Sequence, residues 1–255
     1  MMASAEYVGK EILKAVVFLA VLILPGMLAA WGMNCISNSI RRRLHFLGDR
    51  TFLYLTAPGV AVHELSHAVF CLIFGHKIIK MNLFSPEEDG TLGYVRHQYN
   101  SHNLYQRIGN FFIGTGPIWG GLLLLYLSSW LLLPEDVFLP ERDLSDNLSA
   151  FLKVFFTLGS WRSVSFYIWL YVSLTISAHI TLSYADIKGA KDGFVFLSGI
   201  VILSYLLFGW HGTWDDCLVE KLVLVFCRLF SLIAINSAAL LLIAFFLGLL
   251  PFTRK

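Results

Sequence analysis

Charge is what this sequence has least of. Only 14% of its 255 residues are Asp, Glu, Lys or Arg, and 19 basic against 17 acidic side chains leave a formal net charge of +2. No basic stripe breaks that balance, which argues against a nucleic-acid partner. Cysteine is scarce as well. The four cysteines, Cys35, Cys71, Cys217 and Cys227, form no C-x-x-C pair, and two lie within apolar runs. They read as free thiols, not as a disulfide framework or a zinc knuckle. Internal repeats and low-complexity segments are missing too, so residues 1–255 read as one domain. The first apolar run has no small-residue cleavage site of the signal-peptide kind and reads as a retained membrane helix.

What remains is apolar. Hydrophobic residues make up 57% of the chain and the mean hydropathy is +0.69. These values belong to all-α polytopic membrane proteins, because a soluble domain of this length cannot hide so many long apolar runs. Six spans are predicted, at residues 12–31, 51–75, 105–133, 164–187, 194–210 and 222–251. An even number places both termini on one side. An acidic third loop and a basic tail, Thr253-Arg254-Lys255, favour the cytoplasmic side. Residues 76–103 differ in kind. Ile78 to Phe84 and Thr91 to Val95 read as strands around the turn chemistry of Ser85-Pro86-Glu87-Glu88-Asp89-Gly90, so a small β-hairpin is expected directly after the second span. The third span carries five glycines, Gly109, Gly114, Gly116, Gly120 and Gly121, and small residues let membrane helices approach closely. The apolar stretch 151–161 reads as a short amphipathic helix.

The second span holds His63-Glu64-Leu65-Ser66-His67, an H-E-x-x-H motif. Residues four apart share a helix face, so both imidazoles can bind one metal ion, with Glu64 beside them as general base. Three ionisable groups in a membrane-length apolar segment are costly unless they serve a function. A catalytic zinc site takes three protein ligands and keeps one position open. The third ligand must come from elsewhere, and His179, Asp186 and Asp192 are the candidates. His179 and Asp186 are seven residues apart, roughly 10 Å along a helix, so they are not expected to share one ion. His179 sits at the depth of the motif. Asp186 falls near the end of the fourth span and reaches that depth only if its helix continues past Lys188. The remaining histidines, His45, His76, His97, His102 and His211, fall in loops and read as solvated side chains.

Across residues 51–193 the order is a membrane H-E-x-x-H, a hairpin, a glycine-rich span, then Ser183-Tyr184-Ala185-Asp186. This resembles the site-2 protease family of intramembrane zinc metalloproteases, in the compact branch with a later Ser-x-x-Asp. The Leu-Asp-Gly motif of other branches is absent, with only Asp192-Gly193 remaining, and no segment is long enough for a PDZ-like insertion. The resemblance implies that His63, His67 and Asp186 bind Zn2+. It also implies a membrane-protein or membrane-peptide substrate, cut within the lipid bilayer. Zinc lowers the pKa of a bound water to about 7, and Glu64 takes the proton and passes it to the leaving amine. The motif specifies water activation but not the scissile bond. A zinc-dependent membrane hydrolase of a non-peptide substrate, or a non-catalytic zinc-binding scaffold, stays open as an alternative.

Overall fold

Short apolar helices, broken at defined residues, stand where long straight spans were expected. The computed structural model describes residues 49–87, 91–134, 144–157 and 159–208 without a break, together with isolated positions between 7 and 42 and Leu224. Elements are numbered from the first continuous helix. The predicted span at 12–31, the loop after it, the acidic loop at 135–143, the end of the fifth span and the whole polar loop and sixth span fall outside the described residues or largely so, as do His45, His211, Cys217 and Cys227.

The predicted second span is two helices, α1 (Asp49–Leu55) and α2 (Ala57–Ile73). They part at Thr56, whose hydroxyl donates to the Phe52 carbonyl at 2.9 Å. Pro58 then opens α2, where a missing N–H costs nothing. Gly75 ends α2 with a φ of 67°. The His76 amide donates to the Cys71 carbonyl and the Gly75 amide to the Leu72 carbonyl, the pairing of a Schellman cap.

That cap turns the chain into the expected hairpin. β1 (Lys77–Asn82) pairs antiparallel with β2 (Tyr94–Gln98), with Ile78 opposite His97, Met81 opposite Val95 and an irregularity at Ile79. The second strand lies about three residues later than predicted. Ladder bonds nevertheless continue toward the turn, from Ser85 to Leu92 and from Glu87 to Thr91.

The predicted third span is likewise a bent pair, α3 (Leu104–Gly114) and α4 (Gly116–Leu132), at 59°. Asn103 caps α3 by accepting from the amides of Tyr105 and Gln106, and Pro117 opens α4. The predicted amphipathic stretch lies further back, as α5 (Leu144–Phe156). It packs Val154 and Phe155 on Leu133, Phe166 and Trp169.

The fourth and fifth predicted spans divide elsewhere. α6 (Val164–His179) stops at His179, and α7 (Tyr184–Phe208) runs straight through the supposed loop at 188–193, bent 71° from α6. Gly193 there does not break the helix, because it packs on the Phe111 amide and the Arg107 carbonyl of α3. No single described helix is long and apolar enough to cross a membrane; the two bent pairs reach that length and hydropathy together.

Helix packing brings the motif inward. Ser66 and Phe70 of α2 lie against Gly116 of α4, and a Cβ on Gly120 would overlap the Ser66 side chain. Gly59 meets the Thr175 carbonyl of α6 in the same way. Ile118, Leu122 and Leu125 of α4 pack with Ile176 and Ile180. The opposite face of α2 is apolar and open. Leu72 is 70% exposed, and Leu65, Val69 and Ile73 are exposed beside it, while Glu64 and His67 are 7% exposed. The helix buries Glu64, Ser66 and His67 beside Gly59, Val60, Ala68 and Cys71, and turns large apolar side chains outward.

Candidate metal centre

α2 supplies two imidazoles one turn apart, with their Nε2 atoms 3.2 Å from each other. Each ring is held from behind. His63 donates its Nδ1–H to the His179 carbonyl at 2.9 Å, and His67 donates its Nδ1–H to the Ile113 carbonyl at 2.6 Å. Carbonyls only accept, so each Nδ1 carries the hydrogen, and in its neutral form each ring turns an Nε2 lone pair toward a common point. This is how ligating histidines are oriented in metal sites.

Asp186 closes the triangle. Its Oδ1 lies 3.1 Å from His67 Nε2 and its Oδ2 lies 3.6 Å from His63 Nε2. Its position is local in origin. Ser183 accepts the Asp186 amide at 3.1 Å, and the Asp186 carboxylate accepts the Ser183 amide at 2.7 Å. This reciprocal pair is a capping box at the start of α7. Asp186 therefore stands in the first turn of a new helix and not near the end of the fourth span. The fourth-span helix does not continue past Lys188 as expected: it stops at His179, and a separate helix that begins at Tyr184 carries Asp186 and Lys188. Gly114 of α3 seats this turn, pressed on the Asp186 carbonyl and on Ala190.

The two nitrogens lie 3.2 Å apart, and each lies 3.1–3.6 Å from one of the two Asp186 oxygens, near the roughly 3.3 Å edge of a tetrahedron with bonds of 2.0–2.1 Å. This donor set can hold a metal ion.

The other two candidates are placed differently. Asp192 pairs with Arg107 at 3.1 Å, and Arg107 also lies over the Phe196 ring at 4.2 Å. His179 acts through its main chain on His63, while its Nε2 lies 2.8 Å from the Thr56 hydroxyl. Since that hydroxyl donates to Phe52, it accepts from His179. Glu64 lines the same cavity of about 1160 Å³ as the three ligand residues. The hairpin covers it closely: a Cβ on Gly93 would lie 2.7 Å from Glu64 Cγ and 2.9 Å from the Asn82 carbonyl.

Comparison with protein-family models, with curated proteins and with solved structures finds no match for this chain. The site stands on its own geometry. Sequence reasoning missed its supports. The carbonyls of Ile113 and His179 carry no sequence signal at all. The Ser183-to-Asp186 box did carry one, as S-x-x-D ahead of an apolar run. His76 departs from the solvated loop position expected of it, being 4% exposed. His97 lies on β2 and lines the cavity, whereas His102 is exposed.

Proposed function

We propose that this chain is an intramembrane zinc metalloprotease of the site-2 protease kind, hydrolysing peptide bonds in or near membrane-spanning segments. One observation carries the proposal: two imidazole lone pairs and a carboxylate converge within one cavity that also holds Glu64 and the inner flank of a hairpin. Two histidines and one carboxylate, with a glutamate beside them, are the donor chemistry of hydrolytic zinc. When bound, zinc would lower the pKa of a coordinated water and polarise the scissile carbonyl.

The protein residues do the rest. His63, His67 and Asp186 hold the metal. Glu64, one residue from a ligand, takes the proton from water and hands it to the departing amine. The strand that follows Gly93 offers a main-chain edge on which an unwound substrate can lie extended. The cavity is lined by residues from Thr91 to His97 and by none of β1, which assigns that role to β2. A bilayer setting is supported by the outward apolar face of α2 and by the two bent apolar pairs, since large apolar surface turned outward is stable in lipid.

The test is made on detergent-solubilised full-length chain. It should hold about one zinc per chain, and His63→Ala with His67→Ala should lose it. Glu64→Gln should retain zinc yet lose cleavage of a membrane-spanning peptide by a factor of about 10²–10⁴. Zinc retained by the double histidine variant, or normal cleavage by Glu64→Gln, would overturn the assignment.

A further inference from the structure

A second histidine pair stands behind the hairpin, outside the ligand set. The cap at Gly75 delivers His76 into the protein, where its ring stacks on Tyr99 with centroids 5.0 Å apart and planes at 15°. Its Nε2 faces the Gln106 carbonyl at 2.8 Å. A carbonyl cannot donate, so this nitrogen carries the hydrogen. In a neutral ring Nδ1 is then an acceptor. His76 Nδ1 lies 2.9 Å from His97 Nδ1, so His97 must donate from Nδ1. The same rule leaves the lone pair of His97 on Nε2. Burial pushes each ring below histidine's ordinary value, and for His97 the neighbouring His76 and His67 act in the same direction.

His97 lines the cavity that holds Glu64 and the three ligand residues. A main-chain oxygen on α3 therefore dictates, through two rings in series, that the β2 wall presents a hydrogen-bond acceptor. We propose that His97 Nε2 accepts a hydrogen bond from a main-chain N–H of an extended substrate laid along β2, with His76 as the positioning residue that sets its tautomer. This rests on the peptidase reading above and names the feature of the substrate that the site recognises. A transmembrane helix that unwinds for cleavage uncovers amide hydrogens, each costly without a partner in an apolar setting. β2 can pair only some of them, since its own main-chain groups alternate in direction. A side-chain acceptor at His97 provides for another.

The experiment has two readouts on the full-length, zinc-loaded chain in micelles. In the first, nitrogen NMR of 15N-histidine-labelled protein at neutral pH should show unprotonated nitrogens at His76 Nδ1 and His97 Nε2. A protonated His97 Nε2 overturns the inference. In the second, a fluorescent membrane-spanning peptide is bound to the Glu64→Gln chain, which does not cut it. Adding His97→Leu should weaken binding about five- to tenfold. His97→Gln, whose amide oxygen can accept near the same place, should restore it to within about threefold. Zinc content and thermal midpoint show whether each variant is folded. If His97→Leu binds as tightly as its parent, or the folded His97→Gln binds as weakly as the Leu variant, the inference is overturned while the peptidase reading stands. If the unmutated chain neither cuts nor binds any such peptide, the peptidase reading falls and this inference falls with it.

Discussion

Asp186 serves two purposes with one carboxylate: it closes the capping box with Ser183 and faces both imidazoles. Removing the Ser183 hydroxyl should therefore loosen the ligand without touching it. Ser183→Ala removes the acceptor of the Asp186 amide but keeps the Ser183 amide that the carboxylate accepts, and is expected to weaken zinc about two- to fivefold in a competition titration, by loosening the first turn of α7. Asp192→Asn should leave zinc affinity unchanged, because Asp192 is committed to Arg107. The His76–His97 pair carries a pH dependence of its own. Both folded-state values lie below the ordinary 6.5, so the unfolded chain binds protons first as pH falls. The pair's contribution to stability is complete above about 6.5 and is lost as pH drops through the depressed values. Thermal midpoints taken at several pH values from 7.5 down to 5 should fall less steeply for His76→Gln than for the unmutated chain.

Among the elements, the hairpin and α3 matter most, because each fixes something on a neighbour. The hairpin crosses Glu64 at Gly93, where there is no room for a side chain. Gly93→Ala should displace the Glu64 carboxylate or lift the strand. Peptide cleavage is then expected to fall at least tenfold while zinc content stays at the unmutated level, which metal analysis and an activity assay on one preparation would establish. Loss of zinc together with activity would instead mean that the hairpin supports the ligands. α3 holds both ends of the site. Its Ile113 carbonyl orients His67, and its Gly114 seats the first turn of α7. The capping box, the break before it and this glycine seat together place Asp186 against the two imidazoles.

For the whole molecule, the proposed ion would join two helices that are far apart in sequence. α2 carries two of the candidate ligands and α7 the third. Binding to the folded form alone stabilises it by mass action, by about 4 kcal/mol at a thousandfold excess over Kd. Stripping the metal with a chelator should therefore lower the thermal midpoint, and restoring zinc should recover it. His63→Ala should show no such response. An unmutated chain whose midpoint ignores the chelator would mean that the ion, if bound, ties nothing together. The outward apolar faces of α2, α4 and α7 belong to the same scale, as a property of the assembled helices and not of any one of them.

How much of this was legible beforehand follows from the range of each interaction. Composition pointed to an apolar helical chain because that is a sum over residues. His63, Glu64 and His67 could be grouped on one helix because a 3.6-residue period is local. The hairpin could be read because turn residues and alternation lie close together in the chain, although the strand ends shifted. The breaks at Thr56, Thr115 and residues 180–183 were hidden. Hydropathy runs on across them, although Pro58 and Pro117 just beyond two of them are local signals of a helix start. The tertiary structure alone brought Asp186, and neither Asp192 nor the His179 ring, up to the two imidazoles. That placement depends on Gly114, on the Arg107–Asp192 pair and on where α6 stops, all set by contacts between residues distant in the chain. It alone also placed the supporting carbonyls of Ile113, His179 and Gln106. Every residue has a carbonyl, so sequence cannot single one out, and only the fold decides which of them a histidine meets.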